Sequence, residues 1–191
     1  MSRLTRDDIV IGAGKRFGTY GYHGTSMRDL GNDLGILGSS IYAHVGGKHE
    51  LLVAVVERAG ELFDASADTA IALGVGPTET FRALIGGHID VLVDYAPEAT
   101  TFLNEAVFLE PEDRARITKA RDEYEAVFRA TIQRGIDVGE FRSDVDPKLT
   151  GIYTLSILNA TLRWYKTDGA LSRTELADDI TRFIVGGIEA A

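Results

Sequence analysis

Between residues 25 and 48 the chain places four small hydroxyls and hydrogen-bonding or cationic groups at Thr25, Ser26, Arg28, Ser39, Ser40, Tyr42, His44 and Lys48. None of them forms a glycine-flanked serine elbow. What they share is the capacity to donate to phosphate oxygens, and the serines are small enough to let a backbone approach base edges. Their chemistry is the recognition of duplex nucleic acid, provided that local structure turns them outward together.

The spacing predicts such a structure. Ser26 stands three residues before Asp29, the pattern of a capping box, and Leu30 and Leu34 then share one face of a short helix. Gly35 can take the positive φ that ends it, Ile36 and Leu37 are expected to plug the corner, and Gly38 lets a second helix start at Ser39. Ile41 and Val45 point inward along that helix, leaving Ser39, Ser40, Tyr42 and His44 outside, where they could enter a major groove. Tyr42, His44 and Lys48 are expected on phosphate, with Thr25, Ser26 and Arg28 clamping the opposite backbone; capping alone is the plainer role for Thr25 and Ser26. Lys48 opens the next helix and opposes its dipole unless an anion is near. With no carboxylate or amide from Ser39 to His44, direct base readout looks sparse, and part of the specificity falls to DNA shape or water.

The remaining elements are read as helices, giving an all-α chain of about nine, with no run of sustained period-two alternation. Thr5 and Asp8 cap a first helix carrying Ile9, Ala13, Phe17 and Tyr20; a long helix runs from Lys48 to about Leu73, before Gly74 and Gly76. Pro77 opens a helix ending at Ala96 and Pro97, a short one holds Phe102 to Val107, and another runs from Pro111 to Val138. Asp146 and Pro147 start a helix over 147–166, and Ser172 with Glu175 caps the last, 172–189. The apolar stripes of these two, with Gly151, Ser156, Ala160, Gly186 and Gly187, suit a four-helix interface in a homodimer. We divide the chain into a DNA-binding part, 1–48, and an effector-binding and dimerisation part, 49–191.

In that second part Phe81, Ile85, His88, Ile89, Leu92, Tyr95, Phe102, Phe108, Tyr124, Phe128, Leu155 and Trp164 are either ordinary core or the walls of a small-molecule site. Glu105, Asn159 and Arg163 lie on otherwise apolar faces and need partners if buried. Arg163 beside Trp164 suits an anionic, partly planar ligand; a salt bridge from Arg163 to Glu105 or an aspartate is the alternative.

Composition sets the frame. The chain has 191 residues, a net charge of −9 and no cysteine, which fits a reducing cytoplasm and leaves neither a disulfide nor a thiolate metal site. The start, MSRLTRDDIV, lacks the apolar run of a signal peptide, and no stretch approaches a membrane span, so a soluble, unprocessed protein is expected. An acidic chain is a poor phosphate binder on average, but the charge is uneven. Residues 1–50 hold six Lys/Arg against five Asp/Glu, a net +1, which leaves −10 for residues 51–191.

Ile9, Ala13, Phe17, Gly21, Tyr22, Thr25, Asp29, Leu30, Gly35, Ile36, Tyr42, His44, Lys48 and Leu51 together resemble the N-terminal signature of the TetR family of bacterial transcriptional repressors. The resemblance implies a three-helix head, with Ser39 to His44 in the groove of a palindromic operator, and a body that binds an effector and dimerises. Leu37 departs from the usual capping serine, and Val45 from the usual phenylalanine. Segments 104–109, 135–147 and 163–176 are similar to repressors of sterol and fatty-acid degradation, which implies an acyl-CoA thioester as effector.

Two readings compete. Gly12, Gly14 and Gly18, after IVI at 9–11, imitate a dinucleotide fingerprint of an NAD(P)-dependent oxidoreductase, although the strand, full helix and second strand it requires are not visible. A helical interaction module without DNA is the other. His44 and His49, five residues apart, miss the spacing of a helical metal pair. A regulator without catalytic residues, metal or cofactor is therefore expected.

Overall fold

The computed structural model describes residues 4–190. Among these residues there are nine α-helices and two 3-10 turns, and the only bridge is an isolated one between Phe141 and Glu189. The helices are α1 (Arg6–Tyr20), α2 (Met27–Leu34), α3 (Gly38–Ile41), α4 (Lys48–Ala72), α5 (Pro77–Asp94), α6 (Ala96–Asn104), α7 (Pro111–Asp137), α8 (Pro147–Ala160) and α9 (Arg173–Ile188). None of the described helices is long and apolar enough to cross a membrane.

The chain forms two compact units. The first comprises residues up to 61 together with 95–119, and the second comprises 62–94 and 120 onward.

In the first unit α1 packs against α2 and α6. Thr5 and Asp8 form the expected capping box, and Ile9, Ala13 and Phe17 are buried. The glycines that imitated a nucleotide fingerprint lie inside α1, with no strand before them, which removes the dinucleotide reading. Their small size serves packing instead. A Cβ on Gly18 would lie 2.6 Å from the Pro97 carbonyl oxygen and 2.8 Å from its Cα, and one on Gly14 would lie 3.0 Å from Glu98 Cγ. Pro97, expected to end α5, sits in the first turn of α6, where its missing N–H costs nothing. Arg16 Nη1 bonds Asp33 at 2.6 Å and so ties α1 to α2.

In the second unit α5 packs against α8 and α9. Phe81 makes edge contacts with Phe128 and Phe141 at centroid distances of 6.1 and 6.2 Å. The α8 helix stops at Ala160 rather than near 166, because the buried Thr161 turns its hydroxyl onto the Leu158 carbonyl at 2.7 Å and the chain tightens into a 3-10 turn over Thr161–Arg163. On α8 the buried residues are Gly151, Thr154 and Leu158, while Leu149, Ile152 and Tyr153 are exposed. The small residues divide likewise: Gly151 is buried against α7, near Glu125 and Phe128, whereas Gly186 and Gly187 on α9 face open space.

Candidate nucleic-acid interface and buried polar cluster

The head corner begins at Ser26, whose hydroxyl accepts from the Asp29 N–H at 3.2 Å and donates to Asp29 Oδ2 at 2.6 Å. The Ser26 hydroxyl and, at 3.2 Å, the Ser26 backbone N–H both donate to the Asp29 carboxylate and hold it below its ordinary pKa. Gly35 ends α2 in the left-handed region at φ 69°. The corner is closed by backbone: a Cβ on Gly31 would lie 2.6 Å from Gly38 N and 2.8 Å from Ile36 O. Ile41 and Val45 are buried as expected. Leu37 is not, because it is 74% exposed and makes no capping bond; Ile36, half-buried, is the apolar residue on the inner side.

The α3 helix is short, but i to i+3 bonds from Ala43 and His44 continue the winding. Ser39, Ser40 and Tyr42 are exposed on its outer side, Tyr42 to 56%, and Arg28 is exposed on α2. His44 is half-buried. Thr25 is buried, and its hydroxyl donates inward to the Gly21 carbonyl at 3.0 Å. Lys48 is half-buried with Nζ 4.2 Å from the centroid of Tyr22, and burial lowers its pKa. Its charge therefore has a ring partner within the head.

Tyr22 is the hub that sequence reasoning missed. Its ring meets Phe17 edge-on at 5.6 Å and stacks with Phe108 at 6.0 Å, and its backbone N–H donates to Glu105 Oε2 at 2.7 Å. Glu105 is thus committed to the head loop. Nothing local in the sequence joins Tyr22 to Glu105, 83 positions away, in a hydrogen bond.

In the second unit, three of the candidate effector residues come together. His88 Nε2 lies 3.1 Å from Asn159 Oδ1 and His88 Nδ1 lies 2.9 Å from the Tyr124 hydroxyl. An amide oxygen only accepts, so His88 donates through Nε2 and accepts on Nδ1 the hydrogen bond that the Tyr124 hydroxyl donates, as a neutral ring. Phe63 and Phe128 flank it at 4.7 and 6.4 Å. Burial raises the Tyr124 pKa and lowers that of His88 from 6.5 to about 4, the Asn159 bond opposing the latter weakly. Phe81, Ile85, Ile89 and Leu92 are buried in this unit, and Leu155 is half-buried. Arg163 and Trp164 are exposed at and beyond the 3-10 turn, Trp164 to 55%. Tyr95, Phe102, Glu105 and Phe108 belong to the first unit.

The neutral His88 makes stability depend on pH. The unfolded chain takes up a proton near the ordinary value and the folded one only near 4, so stability is complete above pH 6.5 and declines as pH falls toward 4. Between pH 7 and 5 the loss from this group is about 2 kcal/mol. The melting temperature should fall by about 4–8 °C over that range, and His88→Gln should flatten the slope. Equal slopes in both proteins would refute the assignment.

Residues 74–188 match the family described as tetracyclin repressor-like, C-terminal domain, and residues 9–55 match bacterial regulatory proteins, tetR family. The chain belongs to the TetR family. Among relatives of this TetR regulator, the HTH-type transcriptional repressor KstR2 of Mycolicibacterium smegmatis is 23% identical over 184 residues, 96% of this chain and 90% of that one. The TetR family transcriptional regulator PfmR from Thermus thermophilus shares 33% identity and superposes with a TM-score of 0.86, covering 93% of this chain and 97% of its own. AibR, solved with isovaleryl coenzyme A and operator DNA, has a TM-score of 0.86 at 24% identity, over 93% of this chain and 96% of that chain; at that identity the likeness is one of fold. In the TetR frame α2, the glycine corner and α3 are the helix-turn-helix.

Proposed function

We propose that this TetR-family regulator is a homodimeric repressor that holds a palindromic operator through α3 and leaves it when an apolar, anionic effector, of the acyl-CoA thioester class, enters each body. The observation that carries the DNA reading is the outer side of α3: Ser39, Ser40 and Tyr42 are exposed while Ile41 and Val45 of the same segment are buried. Arg28 lies exposed on α2, and Ser26 caps that helix. His44 and Lys48 complete the set on phosphate, with residues 1–48 as the DNA-binding part acting in the cytoplasm. Exposed Ile152, Tyr153 and Phe183, with open Gly186 and Gly187, support α8 and α9 as the dimer face. A two-fold pair of heads would engage sites about 34 Å apart.

The effector reading is supported by the His88, Tyr124 and Asn159 cluster in aromatic surroundings, the form of a small-molecule site with few polar groups. It is also supported by AibR, which binds isovaleryl coenzyme A within a similar fold. Release requires only that the ligand prefer the conformation with the wrong head spacing.

Purified protein should shift its own upstream region in a gel, with affinity falling steeply as salt rises. Tyr42→Ala should weaken that shift by about tenfold at fixed salt, through loss of a phosphate contact, while the melting curve stays unchanged. Short- to long-chain acyl-CoA thioesters should release the DNA and raise the melting temperature. Absence of any shift would support the helical interaction module instead; a shift insensitive to every thioester would remove that effector class.

A further inference from the structure

Leu37 stands in the turn immediately before α3, and its side chain is 74% exposed. The apolar interior of the corner is closed without it, since Ile36 is half-buried and Ile41 is fully buried. The backbone around Leu37 is held in place. On its C-terminal side Gly38 lies so close to α2 that a Cβ there would come 2.9 Å from both Arg28 Cα and the Met27 carbonyl oxygen. The Leu37 carbonyl accepts from the Ser40 N–H at 2.8 Å, which fixes the peptide, and the side chain makes no capping bond. Packing and capping thus leave this leucine without a role, at a fixed position beside exposed Arg28, Ser39 and Ser40.

That surface is poor in groups that read bases. From Leu37 to His44 there is no carboxylate, amide or guanidinium, so the bidentate pairings that distinguish guanine and adenine are absent from the segment. An apolar side chain in a major groove has one apolar feature to recognise, the C5-methyl group of thymine. We propose that Leu37 is a specificity-determining residue that packs on a thymine methyl in each half-site, an inference that rests on the DNA reading of α3 above. It gives the regulator sequence discrimination through methyl burial where hydrogen-bond readout is sparse.

The test uses full-length protein and a duplex selected by it from a random pool, with each thymine replaced in turn by deoxyuridine, which removes the methyl and nothing else. Wild-type protein should lose about fourfold in affinity at one thymine per half-site, and about fifteenfold when both symmetric positions are changed. Leu37→Ala, a change at an exposed site, should keep the wild-type melting temperature, bind the thymine duplex about as weakly as wild type binds the doubly substituted one, and be indifferent to deoxyuridine at that position. Neutral deoxyuridine at every position in a duplex that wild type binds would overturn the proposal, as would full deoxyuridine sensitivity in Leu37→Ala. Failure to enrich any duplex would overturn the DNA reading itself, and this inference with it.

Discussion

Replacing Gly31 by alanine should destroy operator binding more thoroughly than removing any one contacting side chain. The added Cβ would sit 2.6 Å from Gly38 N, 2.8 Å from Gly38 Cα and 2.8 Å from the Ile36 carbonyl oxygen. All three are backbone atoms of the corner, so no rotamer can relieve the overlap, and α2 must separate from the turn that launches α3. Overpacking of this kind costs about 1–3 kcal/mol, which lowers the melting temperature of a chain this size by about 2–12 °C. The effect on DNA is larger. Hydrogen bonds weaken steeply once stretched past their usual range of about 2.7–3.2 Å, so a displacement of α3 by even half an ångström weakens several contacts together and should reduce affinity by at least about a hundredfold. Gly35→Ala is the control. Gly35 has φ 69° but nothing within 4 Å of its Cβ, so alanine there costs about 1–2 kcal/mol of backbone strain and leaves α3 in place. Thermal melts and operator titrations of the two variants distinguish steric from conformational demand; wild-type affinity in Gly31→Ala would show that the corner tolerates opening.

Phe183→Asp should convert the proposed dimer to a folded monomer. Phe183 is 73% exposed on α9, at the edge of the face that buries Ile180, Ile184 and Ile188. The substitution therefore leaves the unit's own core intact, whereas in a two-fold interface it would place two carboxylates in an apolar patch, where neither finds a partner. Dimer dissociation should strengthen by at least about thirtyfold. Operator affinity should drop with it, by about 10²–10⁴, because the second head loses its effective concentration. Sedimentation of the variant against wild type provides the measurement, and an unchanged dimer would place the interface elsewhere.

The helix ends were legible because local chemistry sets them. Thr5 with Asp8, Ser26 with Asp29, Ser172 with Glu175, and the glycines at 35 and 74 all act where their residue types predicted. Which side of a helix is buried was harder to read when both sides are apolar. On α8, Leu149, Ile152 and Leu158 are indistinguishable by hydropathy, yet Leu158 is fully buried and the other two are exposed. Leu37 shows the same limit in a turn: an apolar residue beside an apolar corner reads as its plug, yet it is 74% exposed where Gly38 lies close against α2. In the candidate sites, the outward placement of Ser39, Ser40 and Tyr42 followed from helical spacing. The pairing of His88 with Tyr124 and Asn159 joins three helices and has no local signature. Glu105, a candidate ligand contact, holds the Tyr22 backbone, a partner that local sequence could not single out.

The inclusion of residues 95–119 in the head's compact unit governs when that head can fold during synthesis. A nascent chain that has cleared the ribosome to residue 61 contains α1 to α3 and the start of α4, but the flank of α1 that receives Pro97 is still bare, and the Glu105 partner of Tyr22 has not been made. At about 5–20 residues per second, completion of the reading head lags its own sequence by several seconds. For the same reason, a recognition head transplanted between relatives would need segment 95–119 to travel with it.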